Sequence, residues 1–310
     1  MDYLFLILGF ALLLGSGHFL ISSASSIALR FNLSKMVVGL LFVSLGTSAP
    51  ELFVSISAVL TGHGDISVGN VVGSNIANIA LALGLTAMIV PIVVKSPTIL
   101  RDWLWMVFAV LLLIAFSYIF SYQLNYFVGI VFLSLLAFYI YISLRDGKKQ
   151  EDEISEEFKN KPLMLTIFIF IVSLVGMYYG SEFLISSATS ISLKWGVSEK
   201  VISVTIVAFG TSIPEITTSL MAAIKKEASI SIGTIIGSNI FNVLSILGIT
   251  SLIHTIPIHP QMVHFDMMWM LAVSIFMLLS ILPLRRGKLG RINGLLLVMV
   301  YLVYIFLQFR

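Results

Sequence analysis

Two glutamates stand where an apolar chain has least reason to keep a charge. Glu51 closes the segment GTSAPE (46–51), and Glu215 closes GTSIPE (210–215). Each lies deep inside a hydrophobic run, where a carboxylate costs about 2.5–3.5 kcal/mol on insertion scales and so normally faces a cavity, a partner or an ion. The neighbours repeat as well. Thr47 and Ser48 precede Glu51 by one helical turn, as Thr211 and Ser212 precede Glu215. A second motif, GNVVGSNIAN (69–78), returns as GTIIGSNIFN (233–242), placing Ser74 with Asn78 and Ser238 with Asn242 at i, i+4 spacing. Carboxylate, hydroxyl and amide oxygen suit hard cations such as calcium or sodium; neither cluster holds the histidine or thiolate that zinc and copper prefer.

All these pairs share one offset, 164 residues, without a gap. Over Phe19–Thr86 that offset matches thirty of sixty-eight positions, so the chain is an internal duplication. In both copies glycine and proline interrupt the run before the glutamate. They break the helix and free backbone carbonyls, a pattern that marks a midplane site when it recurs in two halves of a transporter.

Composition agrees. The chain is 58% hydrophobic and 11% charged, with a mean hydropathy of +1.05. Soluble domains carry roughly 25% charged residues, so this is an all-α polytopic membrane protein. Its net charge of +3 is confined to loops and implies no nucleic-acid partner. The absence of cysteine excludes disulfides and thiolate chemistry. The N-terminal apolar run lacks a basic flank and a cleavage pattern, and reads as a retained first span.

Segments of roughly 20 apolar residues predict ten transmembrane helices, near 3–28, 36–60, 67–92, 102–120, 124–144, 162–192, 200–224, 229–253, 264–284 and 292–309. They form two five-helix repeats, 1–144 and 162–310, joined by the charged linker 145–161, which has no apolar face. With the N-terminus outside, inner loops hold fifteen Lys and Arg and the outer side holds three. That bias places both termini outside and the linker in the cytoplasm. An odd number of spans per half makes the repeats inverted. Helices 2, 3, 7 and 8 are expected to be broken around a midplane cation site.

Other residues carry blander readings. Gly69, Gly73, Gly233 and Gly237 have the spacing of close helix packing. Asn75 and Asn239 read as caps of broken half-helices. His18 and Glu182 occupy one repeat position but share no chemistry. His63 and Asp65 suit a solvated turn, and His254, His259 and His264 receive no role.

The paired GTSxPE and GxxxGSNIxN segments resemble the inverted repeats of the sodium/calcium exchanger family, within the calcium/cation antiporter superfamily, in its prokaryotic form. The resemblance implies a core of helices 2, 3, 7 and 8 around four adjacent cation sites, with tilted helices 1 and 6 sliding across it. It implies that Glu51 and Glu215 are shared ligands of the transported calcium and sodium. Thr47 and Thr211 would add oxygen, Ser48, Ser212, Ser74 and Ser238 would serve flanking sodium sites, and Asn78 and Asn242 would fill the centre. The carbonyls of Ser44 and Ala208 match further sodium contacts. Some relatives, potassium-dependent exchangers among them, have aspartate where this chain has Asn242, which argues against potassium co-transport. The linker is too short for the regulatory calcium-binding domains of animal exchangers.

The expected function is therefore electrogenic sodium/calcium antiport in the plasma membrane by alternating access. The partners are the two ions and the bilayer, with neither a cofactor nor a protein partner. The alternatives are a proton/calcium exchanger using the same glutamates, for which GNxPE is the commoner motif, a cation channel, or a membrane hydrolase, for which no histidine lies near either cluster and the two carboxylates have equivalent surroundings.

Overall fold

The computed structural model describes residues 2–93, 98–146, 162–195, 210, 212–281 and 288–308. They form helices α1 (Asp2–Arg30), α2 (Lys35–Thr47), α3 (Ala49–Leu60), α4 (Gly64–Ile89), α5 (Ile99–Ile119), α6 (Tyr126–Asp146), α7 (Leu163–Lys194), α8 (Ile213–Ile224), α9 (Ala228–Ile253), α10 (Met262–Ile281) and α11 (Arg291–Gln308). Eight are long and apolar enough to cross a membrane, and α2 with α3 makes a ninth span bent by 44°. The predicted seventh span, 200–224, is represented by Gly210 and residues from Ser212 through α8; its first part and most of the 145–161 linker lie outside the described residues.

The buried layer is α4 and α9, whose apolar stretches are 78% and 89% buried, against 28% for α1 and α7. A helix apolar all round is a core or membrane helix. Here the inner pair meets protein, while α1 and α7 turn residues such as Ile7, Phe10, Phe168 and Val172 outward. α2 lies on α9, and α3 on α4. α1 runs along α7 and also touches α8.

Small residues set these distances. A methyl group at Gly233 would meet the Met36 carbonyl oxygen at 2.6 Å, and one at Gly237 would lie closer still to the Leu40 carbonyl oxygen, so the packing reading of that pair holds. A methyl group at Gly69 would make an ordinary contact with Met262 at 3.5 Å, and one at Gly73 would meet no atom of the described residues within 4 Å, so the packing reading is not shown for that pair. Gly9 brings α1 against α7, where an added Cβ would sit 2.9 Å from the Gly180 oxygen. Asp2 ties the same two helices at one end, accepting from Ser190 at 2.8 Å and pairing with Lys194. Lower on α1, His18 Nε2 lies 3.2 Å from Lys225 Nζ, just past α8.

The expectation of broken helices is corrected for two spans. α4 and α9 run through without interruption. Neither contains proline, and in an apolar medium a glycine alone gives the backbone no reason to abandon its internal hydrogen bonds. Each instead carries a π-helical stretch, Ala77–Leu83 in α4 and Asn242–Ile246 in α9. Two further π stretches lie at Val38–Val43 in α2 and Met262–Asp266 in α10. Two short antiparallel ribbons join loops of the two halves: β1 (Ile92–Val93) with β4 (Lys288–Leu289), and β2 (Gln123–Leu124) with β3 (Ile256–Pro257).

This packing makes Gly233→Val an overpacking change at the α2–α9 contact. It should destabilise the fold by about 1–3 kcal/mol, read as a lower melting temperature in detergent. An unchanged melt would mean that the contact is looser than drawn.

Candidate functional site

The two glutamates occupy equivalent local structures. α2 stops at Thr47, and Ser48 leaves helical geometry at φ −85°, ψ 7° before α3 begins with Pro50 at its start. Ser212 has φ −86°, ψ 1° before α8, with Pro214 in the same place. Proline is tolerated there because the first helical N–H groups have no partner within the helix. Glu51 and Glu215 fall in the first turns of α3 and α8. Their charges thus sit at the positive ends of two helix dipoles. Both are 0% exposed.

The halves interlock around these carboxylates. Ser48 donates to Glu215 Oε1 at 3.0 Å, so a hydroxyl of the first repeat serves the acid of the second. Ser238 approaches the same oxygen at 3.5 Å. Ser74 lies against Glu51, and the two carboxylates are close enough for their charges to interact. Behind Glu51, Asn70 donates to its carbonyl at 3.2 Å and to Ser55 Oγ at 3.0 Å. Ser219 shares a hydrogen bond with Ser231 at 2.8 Å and accepts from Thr86 at 3.3 Å.

Several buried oxygens have no hydrogen-bond partner among the described residues. They include both oxygens of Glu51, Oε2 of Glu215, Oδ1 of Asn78 and of Asn242, and the Ser212 hydroxyl. Buried polar atoms are nearly always satisfied, so a cluster of orphans in one region calls for an unseen partner. The orphan amide atoms are acceptors, as carboxylate oxygens are when ionised, so the chemistry of this set fits a cation. No group of three or more His, Asp or Glu forms among the described residues. The charge at this place therefore comes from two carboxylates amid neutral oxygens.

The remaining sequence candidates divide. Ser44 and Thr47 are buried at the end of α2. The Ser44 carbonyl accepts the Ser48 N–H at 2.9 Å and the Thr47 hydroxyl at 3.3 Å, and its own hydroxyl donates to Leu40 O. Thr211 and Ala208 lie outside the described residues. Asn75 and Asn239 are not caps: both are buried inside unbroken helices and bond across the repeat boundary. Recurrence in both motifs was the available signal for that role. The crossing of Ser48 to Glu215 had no sequence signal, because it depends on how the halves dock. His63 is exposed, with its ring nitrogen 3.4 Å from the Thr61 hydroxyl, which suits a solvated turn.

Known proteins carry the same arrangement of sequence. A family model for the sodium/calcium exchanger protein matches residues 1–145 and 165–310. The chain belongs to that family. It is thereby a multi-pass membrane antiporter of cations, not an enzyme, and the channel and hydrolase alternatives fall away. It is 35% identical over 316 residues to the putative antiporter CaxA of Alkalimonas amylolytica, covering 99% of this chain and 98% of that protein. Identity to the sodium/calcium exchanger MaX1 of Methanosarcina acetivorans is 28%, over 99% of this chain and 98% of that one. Among solved structures, the sodium-calcium exchanger NCX_Mj soaked with 2.5 mM Na+ and 0.1 mM Ca2+ superposes with a TM-score of 0.84 at 30% identity. That match covers 98% of this chain and 97% of the other.

The interlock is unequal, which generates a test. Ser48→Ala strips Glu215 of its shortest hydrogen bond and should cost about 1–3 kcal/mol. Ser212→Ala removes a hydroxyl without a partner among the described residues and should cost much less. Thermal unfolding of both variants in cation-free detergent would expose the ordering, and a reversed order would refute it.

Proposed function

We propose that this exchanger couples sodium to calcium in antiport, with Glu51 and Glu215 as ligands shared by both ions. The observation that carries the reading is the meeting of two buried carboxylates with unpartnered neutral oxygens and no third acid among the described residues. Two carboxylates neutralise one calcium ion or two sodium ions, but not both loads. Shared ligands make the occupancies compete, which is the minimum that antiport needs. An empty pair of carboxylates crossing an apolar gate would be costly, so the unloaded protein resists switching sides. Thr47, Thr211, Ser48, Ser212, Ser74, Ser238, Asn78, Asn242 and the carbonyls of Ser44 and Ala208 complete the oxygen set in this reading. Neutral Asn242 in place of an acid favours potassium-independent exchange.

The same reading takes the chain as two inverted five-helix repeats, 1–144 and 162–310, with α2–α3 and the span containing α8 as its broken helices. It puts the protein in the plasma membrane with both termini outside and the 145–161 linker in the cytoplasm, following the loop charges. Alternating access would come from α1 and α7 moving across the core. Their lipid-facing surfaces and their close mutual contact at Gly9 and Gly180 support movement as a pair.

Calcium uptake into proteoliposomes should be driven by an outward sodium gradient and lost in both Glu51→Gln and Glu215→Gln, with the variants still folded. Uptake driven by a proton gradient alone would replace sodium with protons as the coupling ion, and normal flux in either variant would sink the site. If three sodium ions leave for each calcium that enters, one positive charge leaves per cycle. An inside-positive potential set with a potassium ionophore should then accelerate uptake, since each charge is worth about 2.3 kcal/mol per 100 mV. Indifference to potential would mean electroneutral exchange.

A further inference from the structure

Four asparagines from the duplicated motifs are bonded to one another across the boundary between the repeats. Asn75 Nδ2 donates to the main-chain oxygen of Asn239 at 3.1 Å, and Asn239 Nδ2 donates to that of Asn75 at 3.2 Å. Their side-chain oxygens are used as well. Asn78 Nδ2 donates to Asn239 Oδ1 at 3.1 Å, and Asn242 Nδ2 donates to Asn75 Oδ1 at 3.0 Å. All four residues are at most 1% exposed.

An amide presents a donor on one side and an acceptor on the other. Asn78 and Asn242 each give their nitrogen to this clamp, so each turns its oxygen the opposite way. Those two oxygens are among the orphan acceptors. Asn75 and Asn239, in contrast, spend nitrogen and oxygen alike on each other's segments. We infer that Asn75 and Asn239 are positioning residues, which fix the amides of Asn78 and Asn242 so that oxygen, never the NH₂ group, faces the cation. This rests on the proposed cation site. Without Asn75, the Asn242 amide is free to turn over and point a donor at a positive ion. The wiring is crossed: Asn75 acts on Asn242, and Asn239 acts on Asn78.

Crossed wiring distinguishes positioning from a general packing role. The test is calcium binding by titration calorimetry on the purified full chain in detergent, for Asn75→Ala, Asn242→Ala, Asn78→Ala and the doubles that combine Asn75→Ala with each of the other two. Asn75→Ala should weaken calcium binding by about 10–100-fold, the usual effect of losing a residue that orients a metal ligand. In the Asn242→Ala background most of that penalty should disappear, while in the Asn78→Ala background it should persist, because only coupled residues depart from additivity. The mirrored set, Asn239→Ala with Asn78→Ala and with Asn242→Ala, should show the opposite dependence. Equal penalties in both backgrounds would overturn the inference, and so would loss of folded protein in every single variant, which would make the clamp purely structural. A wild-type chain that binds calcium but ignores a sodium gradient would refute the exchange reading while leaving this one standing.

Discussion

The structure depends on the cost of keeping two ionisable acids out of water in the middle of an apolar protein. A carboxylate removed from water needs a counter-charge or several hydrogen bonds. Glu51 and Glu215 have helix N-termini and a few hydroxyls, and their like charges repel each other, so the site falls short of what two full charges need. Whatever balances that shortfall must bring positive charge with it, which is what the proposed cation site requires. The break before α3, the proline starts of α3 and α8, and the buried serines are all arrangements around that deficit.

Much of this was legible in the residues. The duplication at a fixed offset located both acids, and hydropathy located the long spans within a few residues of their observed ends. The bend between α2 and α3 followed from Gly46 and Pro50. What failed was the extension of that argument to α4 and α9. Asn75 and Asn239 read there as caps of broken half-helices, yet neither helix contains proline, and glycine in an apolar setting permits close approach without forcing a bend. Gly233 and Gly237 accordingly seat α2 against a continuous α9.

The part that stayed hidden is relational. Ser48 serves Glu215 rather than the acid three residues along its own chain, and Asn75 serves Asn242 rather than a helix end. No local pattern encodes a partner on the other repeat. Symmetry narrows the possibilities, since residues that recur in both copies tend to meet their counterparts near the axis, as Asn75 and Asn239 do. It does not say which atom meets which. Where the copies differ, as Asn70 and Thr234 do, symmetry gives no guidance, and the bond from Asn70 to Ser55 emerged only in three dimensions.

The π-helical turns have a consequence for how this chain can vary. A π turn accommodates one residue more than the α-helix around it, so α4 presents two faces that are out of phase. Before the turn, Ser74 and Asn75 address the acids and the opposite repeat. After it, Gly84 addresses Gly294 of α11. The mirrored turn in α9 separates Asn239 from Gly248, which meets Leu133 of α6. Each turn works as a phase shifter between the half of a helix beside the proposed cation site and its anchoring half. For the apolar residues of these turns, length is therefore constrained more tightly than identity. Exchanging one apolar side chain for another there perturbs a contact, whereas losing a single residue would rotate every later one away from its neighbour.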